Sequence, residues 1–415
     1  MKTPKITKST ALITLCWLVY TCSYIGKLSY SANINQIGSA FNVSYADAGM
    51  VSTFFFFAYG IGQIINGILC KKYNIKYIVF ASLTIGGLMN LFAVLTTNFA
   101  FMKYIWLVNG IAMSVLWTSL IRLLSETLDD KYINKAILAM GTTVATGTFF
   151  VYGLSSVFVA FFSYHVIFIV ATITLFTVAL IWFFSYDTLT VKAPVEPTPI
   201  TEHPTTRLKN HDHINIHLLF ITVSILSIFA VANNFIKDGI TVWTPDILSQ
   251  IYNTPGWLSI LLTLLLPVMA IMGAAVALNL HKKTKSLIIT ITLLFAMSST
   301  LISFVTFFMK STGIVMTICC LAIVSCLMSG VNNVITSIFP FSMKDTFNSG
   351  KLAGLLNGFC YVGSTLSSYT LGLIADKSGW NAVFVTLLIV NISVVLLGIV
   401  YYLVERKKKH EKNTL

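Results

Sequence analysis

With 415 residues, 56% of them hydrophobic, only 10% charged and a mean hydropathy of +0.83, the chain lies far outside the composition of a soluble protein of this length. Its net charge of +13 raises the question of a nucleic-acid partner, and the placement of the cations answers against one. Of the 27 Lys and Arg, 21 fall in the two tails and in one alternating set of connections, the other set holds only Lys103, Lys310 and Lys377, and Lys27, Arg122 and Lys237 lie inside apolar segments.

Twelve apolar segments are predicted, near residues 11–35, 47–69, 77–97, 99–126, 135–162, 165–185, 217–247, 255–279, 286–309, 312–338, 350–374 and 380–404. Each is long enough to cross a hydrocarbon core of roughly 30 Å as a helix. The expected fold is an all-α membrane protein with two pseudo-symmetric six-helix halves, residues 1–185 and 217–415. A polar central linker, 186–216, joins them, and Pro194, Pro197, Pro199 and Pro204 rule out continuous helix there. The cation bias places the linker, both termini and the basic C-terminal tail in the cytoplasm of a cell (inner) membrane protein. The first segment is too long for a signal peptide and lacks a small-residue cleavage site, so it reads as a spanning helix.

In segment 1, Tyr20, Tyr24, Lys27 and Ser31 share one helical face. A lysine at a helix centre costs roughly 2.5–3.5 kcal/mol on insertion scales, which makes Lys27 a functional candidate. Ser44 to Asp47 opens segment 2 as a capping box. The run Phe54 to Phe57 reads as lipid-facing or core bulk, and Ala58-xxx-Gly62 as close helix packing. The turn after segment 2 carries Lys71 and Lys72. Segment 4 holds Trp106, Asn109, Gly110, Trp117 and Arg122, the last within one turn of Glu126, a spacing that favours a structural bridge.

The linker region carries His203, His211, His213 and His217, whose spacing fits no standard metal pattern, and the seven cysteines form no CxxC pair, so neither metal nor disulfide is expected. In segment 7, Asn233 or Asn234, Lys237, Thr241 and Thr244 share a face. Asp238 is expected about 100° away from Lys237 around the helix, which weakens an internal pair. Thr254-Pro255 reads as an N-cap with Pro in the first turn of segment 8. Segments 10 and 11 offer Asn332, Asn333, Asn357, Tyr361, Ser364, Thr365 and Ser368, of which Asn357 and Tyr361 are the strongest candidates for solute hydroxyls.

Four pairs sit 210 residues apart: Lys27 with Lys237, Ser44 with Thr254, Arg122 with Asn332, and Gly153 with Gly363. A constant offset means two equivalent halves, and a cation in each points to a paired anion site on the axis between them.

The two sixes, the linker and Gly67-Ile-Leu-Cys70-Lys71-Lys72-Tyr-Asn-Ile-Lys76 resemble the major facilitator superfamily, with Cys70 where the usual loop pattern has Asp. Segment 4, Trp106-Leu-Val-Asn109-Gly110 followed by Trp117 and Arg122, and segment 7, Lys237-Asp-Gly239-Ile-Thr-Val-Trp243-Thr-Pro245, resemble the organophosphate:phosphate antiporter family of glycerol-phosphate and hexose-phosphate transporters. In that family two arginines bind the substrate phosphate, and the matching positions are Lys27 and Lys237. An ammonium lacks the bidentate fork of a guanidinium, so phosphate geometry should be read less selectively. The family's histidine in segment 5 aligns with Val144, and its role does not carry over.

The resemblance implies a secondary active transporter, not an enzyme, working by alternating access on a small organic anion, with a phosphate ester exchanged for inorganic phosphate. The substrate-binding residues would be Lys27, Lys237, Tyr24, Ser31, Asn234, Thr241, Asn357 and Tyr361, and the gating or structural residues Arg122, Trp117, Glu126, Lys71 and Lys72. No cofactor, metal or nucleic acid is expected, and the chain reads as a monomer. Two alternatives stay open: a proton-coupled carboxylate or amino-acid transporter, and a transporter-like membrane sensor of sugar phosphate.

Overall fold

The computed structural model describes residues 8–69, 72–190, 216–308, 311, 313–343 and 349–413. Lys71, most of the linker, and His203, His211 and His213 lie outside the described residues.

Every described segment that is long and apolar is helical, because a backbone in lipid has to satisfy its own N–H and C=O groups. Twelve long helices result: α1 (Lys8–Ala32), α2 (Tyr45–Leu69), α3 (Ile75–Leu95), α4 (Phe99–Thr127), α5 (Asp130–Phe161), α6 (His165–Thr190), α7 (Ile216–Tyr252), α8 (Gly256–Thr284, in three pieces), α9 (Leu287–Phe308), α10 (Ile314–Ile338), and α11 and α12 within Ser349–Asn413. The last two run on helically except at Gly379, whose φ of 75° turns the chain in a conformation that a side chain would oppose. The helical part of α6 extends to Thr190, five residues into the predicted linker.

Local chemistry sets the helix starts. Ser44 Oγ accepts from Asp47 N at 3.1 Å and donates to the Asp47 carboxylate at 2.9 Å, the predicted box. Asn74 and Asn98 cap α3 and α4 by accepting from Lys76 N and Ala100 N, each at 2.9 Å. Thr254 departs from expectation: its hydroxyl bonds Ser259 Oγ at 2.6 Å, and the helix begins after Pro255 without a side-chain cap. Pro255 itself stands at the N-cap position, and its carbonyl accepts from the Leu258 and Ser259 amides, each at 3.0 Å.

Proline also shapes α7. The helix was expected to end near 247 but continues through Pro245 to Tyr252. The missing N–H of Pro245 leaves the Thr241 carbonyl, one turn back, without its helical donor, and the Tyr152 hydroxyl of α5 donates to it at 3.2 Å. A helix defect in one half is thus repaired by the other.

Helices α1–α6 pack together as one bundle and α7–α12 as a second, and the two meet along α2 with α11 and α5 with α8. One end of the molecule, the linker end, carries the start of α1, the end of α6 and the start of α7. At the opposite, far end the halves are closed. Asp376, in the last turn of α11 before Gly379, accepts from the Tyr45 and Ala46 amides at 2.9 and 2.7 Å, at the start of α2. Tyr45, Trp243 and Trp380 pack ring on ring beside that contact, with centroids 5.2–6.0 Å apart. Gly49 of α2 lies so close to α11 that a Cβ there would sit 2.0 Å from the Ser368 carbonyl oxygen.

Candidate functional site

Near mid-helix, α1 is clamped to its own half. Asn109 and Asn90 both donate to the Gly26 carbonyl, at 3.0 and 3.1 Å, and Ser29 donates to Asn90 at 2.7 Å. This gives Asn109 in the α4 motif its physical role: it fixes the backbone one residue before Lys27. Gly110 next to it lets α2 approach, since a Cβ there would meet the Phe55 carbonyl oxygen at 2.5 Å.

From that clamp the Lys27 side chain extends into the interface between the halves. Only 4% of Lys27 is exposed, and its Nζ makes no hydrogen bond among the described residues. It faces three tyrosine rings instead, Tyr20 at 4.3 Å, Tyr24 at 4.6 Å and Tyr59 at 5.2 Å from the ring centroids. A ring quadrupole attracts a desolvated ammonium with roughly 2 kcal/mol. Trp117 closes the cage from behind, its ring 4.8 Å from that of Tyr20. Ser31 turns away to Ser52, 3.4 Å from its hydroxyl, and joins α1 to α2.

Across the interface, Tyr361 of α11 lies 4.9 Å from Tyr59, centroid to centroid, and stacks on Phe56 at 6.5 Å. Asn357 donates to Gln63 at 3.0 Å, and Gln63 donates to the Tyr59 hydroxyl at 3.0 Å. Tyr59 and Gln63 join the cluster although the sequence did not single them out, and Phe56 packs against Tyr361 where bulk was expected. The signal was present: Tyr59, Gln63 and Asn66 recur at helical spacing on one face of α2.

The second lysine is not free. Lys237 Nζ pairs with Asp238 Oδ1 at 3.4 Å, against the expected 100° separation. Long, flexible side chains close an angle that Cβ directions leave open. Asp238 is itself held, accepting from Asn234 at 3.0 Å and from Ser364 at 2.5 Å through its other oxygen. Thr241 spends its hydroxyl on the Lys237 carbonyl, and Thr244 on Ile240, so neither adds a free donor to the site. Around Val144, the hydroxyls of Thr143 and Thr148 bond the backbone of their own helix.

Arg122 bonds Glu126 at 2.8 Å and lies toward the linker end, where Lys72 is exposed, so neither belongs to the central cluster. Among the described residues no group of His, Cys, Asp and Glu converges to hold a metal.

The brought-together set is therefore Lys27, Tyr20, Tyr24 and Tyr59 on one side, and Tyr361, Asn357, Ser364, Asn234, Asp238 and Lys237 on the other. Residues 16–368 match the family model described as Major Facilitator Superfamily. The chain belongs to that superfamily. Its fold matches solved transporters of the same kind: the nucleoside transporter NupG (TM-score 0.73, 13% identity, 95% of this chain and 99% of that one) and a bacterial homologue of the human lysosomal transporter Spinster, inward-facing and occupied (0.72, 14%, 96% and 97%). At such identity the likeness concerns the fold alone. Among curated proteins, the membrane sensor protein UhpC is similar: 26% identical over 94 residues in Escherichia coli (strain K12) and 26% over 99 residues in Salmonella typhimurium (strain LT2). These matches cover 23% and 24% of this chain and about a fifth of each relative, 21% and 22%. The chain is thus a multi-pass membrane protein of this superfamily.

Proposed function

We propose that this transporter carries a small organic anion by alternating access, with the anionic group seated at Lys27. The observation that supports this is the buried ammonium of Lys27, held in its tyrosine cage without a carboxylate partner, at the junction of the two halves. A buried charge without a partner is costly, and an anion that supplies one is bound by that same free energy. The neutral donors beside it, Asn357, Gln63 and the Tyr59 hydroxyl, suit the hydroxyl-bearing part of a solute. The cation bias puts the linker end in the cytoplasm, so the form described here is closed toward the outside.

Exchange of a phosphate ester for inorganic phosphate is the first chemistry to test. In proteoliposomes loaded with unlabelled glycerol phosphate or phosphate, labelled glycerol phosphate should enter by counterflow and continue to do so with an uncoupler present. Absence of glycerol phosphate exchange, together with accumulation of a carboxylate or amino acid under an imposed proton gradient, supports proton-coupled carboxylate or amino-acid transport instead. A second reading, sensing of a sugar phosphate, is favoured by the similarity to UhpC. A reconstituted chain that binds sugar phosphate with wild-type affinity but moves none would establish it.

A further inference from the structure

The charges that face the site do not sum to two. Lys237 already has a carboxylate partner in Asp238 at 3.4 Å, and the pair is largely out of solvent, with side-chain exposures of 26% and 17%. Asp238 is not loose. Its second oxygen takes hydrogen bonds from Ser364 and Asn234, the first reaching from α11 and the second from one turn back in α7. Lys27, Lys237 and Asp238 are the charged groups of the cluster, and the tyrosines, Asn357 and Gln63 add none. Arg122 is paired with Glu126 near the linker end. Asp246 is nine residues beyond Lys237, about 13 Å along the helix axis, and lines a separate cavity of about 290 Å³ at the closed far end.

We propose that Asp238 sets the charge of the transported solute: as the resident counter-ion of Lys237 it leaves a site that accepts one negative charge, delivered at Lys27. This rests on the anion reading above and narrows it to singly charged acids, including the monoanionic form of a phosphate ester. A second negative charge on the solute has two ways to fit. It meets Asp238 as a like charge in a partly dry site, or it displaces Asp238 from Lys237 and forfeits the Ser364 and Asn234 bonds. Either route disfavours a dianion by on the order of tenfold or more.

The test is a set of charge variants of the full chain, titrated with lactate and ethanesulfonate (one charge) and with succinate and sulfate (two charges) at constant ionic strength. Apparent affinity is read from thermal unfolding in detergent, and each value is taken relative to Lys27→Gln, which cancels non-specific salt effects. The summed site charge is +1 in wild type, +2 in Asp238→Asn, zero in Lys237→Gln, and +1 again in the double variant. Wild type is expected to bind the singly charged anions on the order of tenfold more tightly than succinate or sulfate. Asp238→Asn should close or reverse that gap, Lys237→Gln should lose binding, and the double variant should recover the wild-type preference. The inference is overturned if wild type takes the doubly charged anions equally well, if Asp238→Asn leaves the ratio unchanged, or if the folded double variant binds no singly charged anion. If none of the four anions moves wild type beyond Lys27→Gln, the anion reading itself falls and this inference falls with it.

Discussion

Lys27 shows how much of a residue's role depends on its surroundings. Its ammonium has cation–π partners and the neutral Tyr59 hydroxyl beside it but no anionic partner, so a bound anion gains a charge-assisted interaction that no carboxylate of the protein supplies. Lys27→Ala should therefore weaken anion binding by roughly 10- to 100-fold, the magnitude of a lost charged hydrogen bond, while the protein stays folded. Equal uptake by the Ala variant in proteoliposomes would remove Lys27 from the site. Asn109→Ala makes a different prediction. It removes one of two side-chain donors to Gly26, so unfolding stability should fall by about 1–3 kcal/mol and affinity only a few-fold. Thermal unfolding and anion titration on the same sample separate the two effects, and a stability equal to wild type would show that the clamp is dispensable.

At the scale of helices, the closure of the far end depends on α2 meeting α11. Two features hold it: the carboxylate of Asp376 on the first amides of α2, where the helix dipole favours a negative charge, and the close approach at Gly49. Asp376→Ala should cost the closed form about 1–2 kcal/mol, the net worth of such bonds at an exposed group. Gly49→Leu should act in the same direction by sterics. Spin labels at Ser39 and Lys377, on opposite halves of that end, would report a larger population of long distances in both variants. An unchanged distance distribution in both would mean that other contacts close the far end. The hydroxyl of Tyr152 on the Thr241 carbonyl is a third cross-half contact, created by the proline in α7.

For the whole molecule, the proposed cycle would take the empty carrier between its two faces with the Lys27 charge buried and unmatched, whereas in the form observed Lys237 has Asp238 beside it. A buried charge with no partner costs several kcal/mol, so reorientation of the empty form should be slower than that of the loaded form. Exchange should then outpace net efflux by about tenfold or more, since about 1.4 kcal/mol in a barrier is a factor of ten. Measuring labelled efflux into buffer with and without external substrate checks this. Equal rates would mean that the empty carrier neutralises Lys27 by some other route.

The sequence alone determined the class of molecule, the positions of its helices and the two lysines, because these follow from local quantities. Apolar length fixes a spanning helix, cation bias gives its expected direction, and the cost of an ammonium in hydrocarbon marks Lys27 and Lys237 wherever they fold. The Arg122–Glu126 bridge was legible for the same reason, since one helical turn suffices to place it. What the sequence could not decide were contacts between helices distant in the chain. Tyr59 and Gln63 looked like part of an apolar segment until α2 was set against α11, where they meet Tyr361 and Asn357 some 300 residues later. The partner of Lys237 was its own neighbour in sequence, yet the pairing was decided by Ser364 and Asn234, which hold Asp238 in place. Helical periodicity gives the direction in which a side chain leaves the backbone. Where its charged end comes to rest depends on which acceptors the packed helices bring within reach.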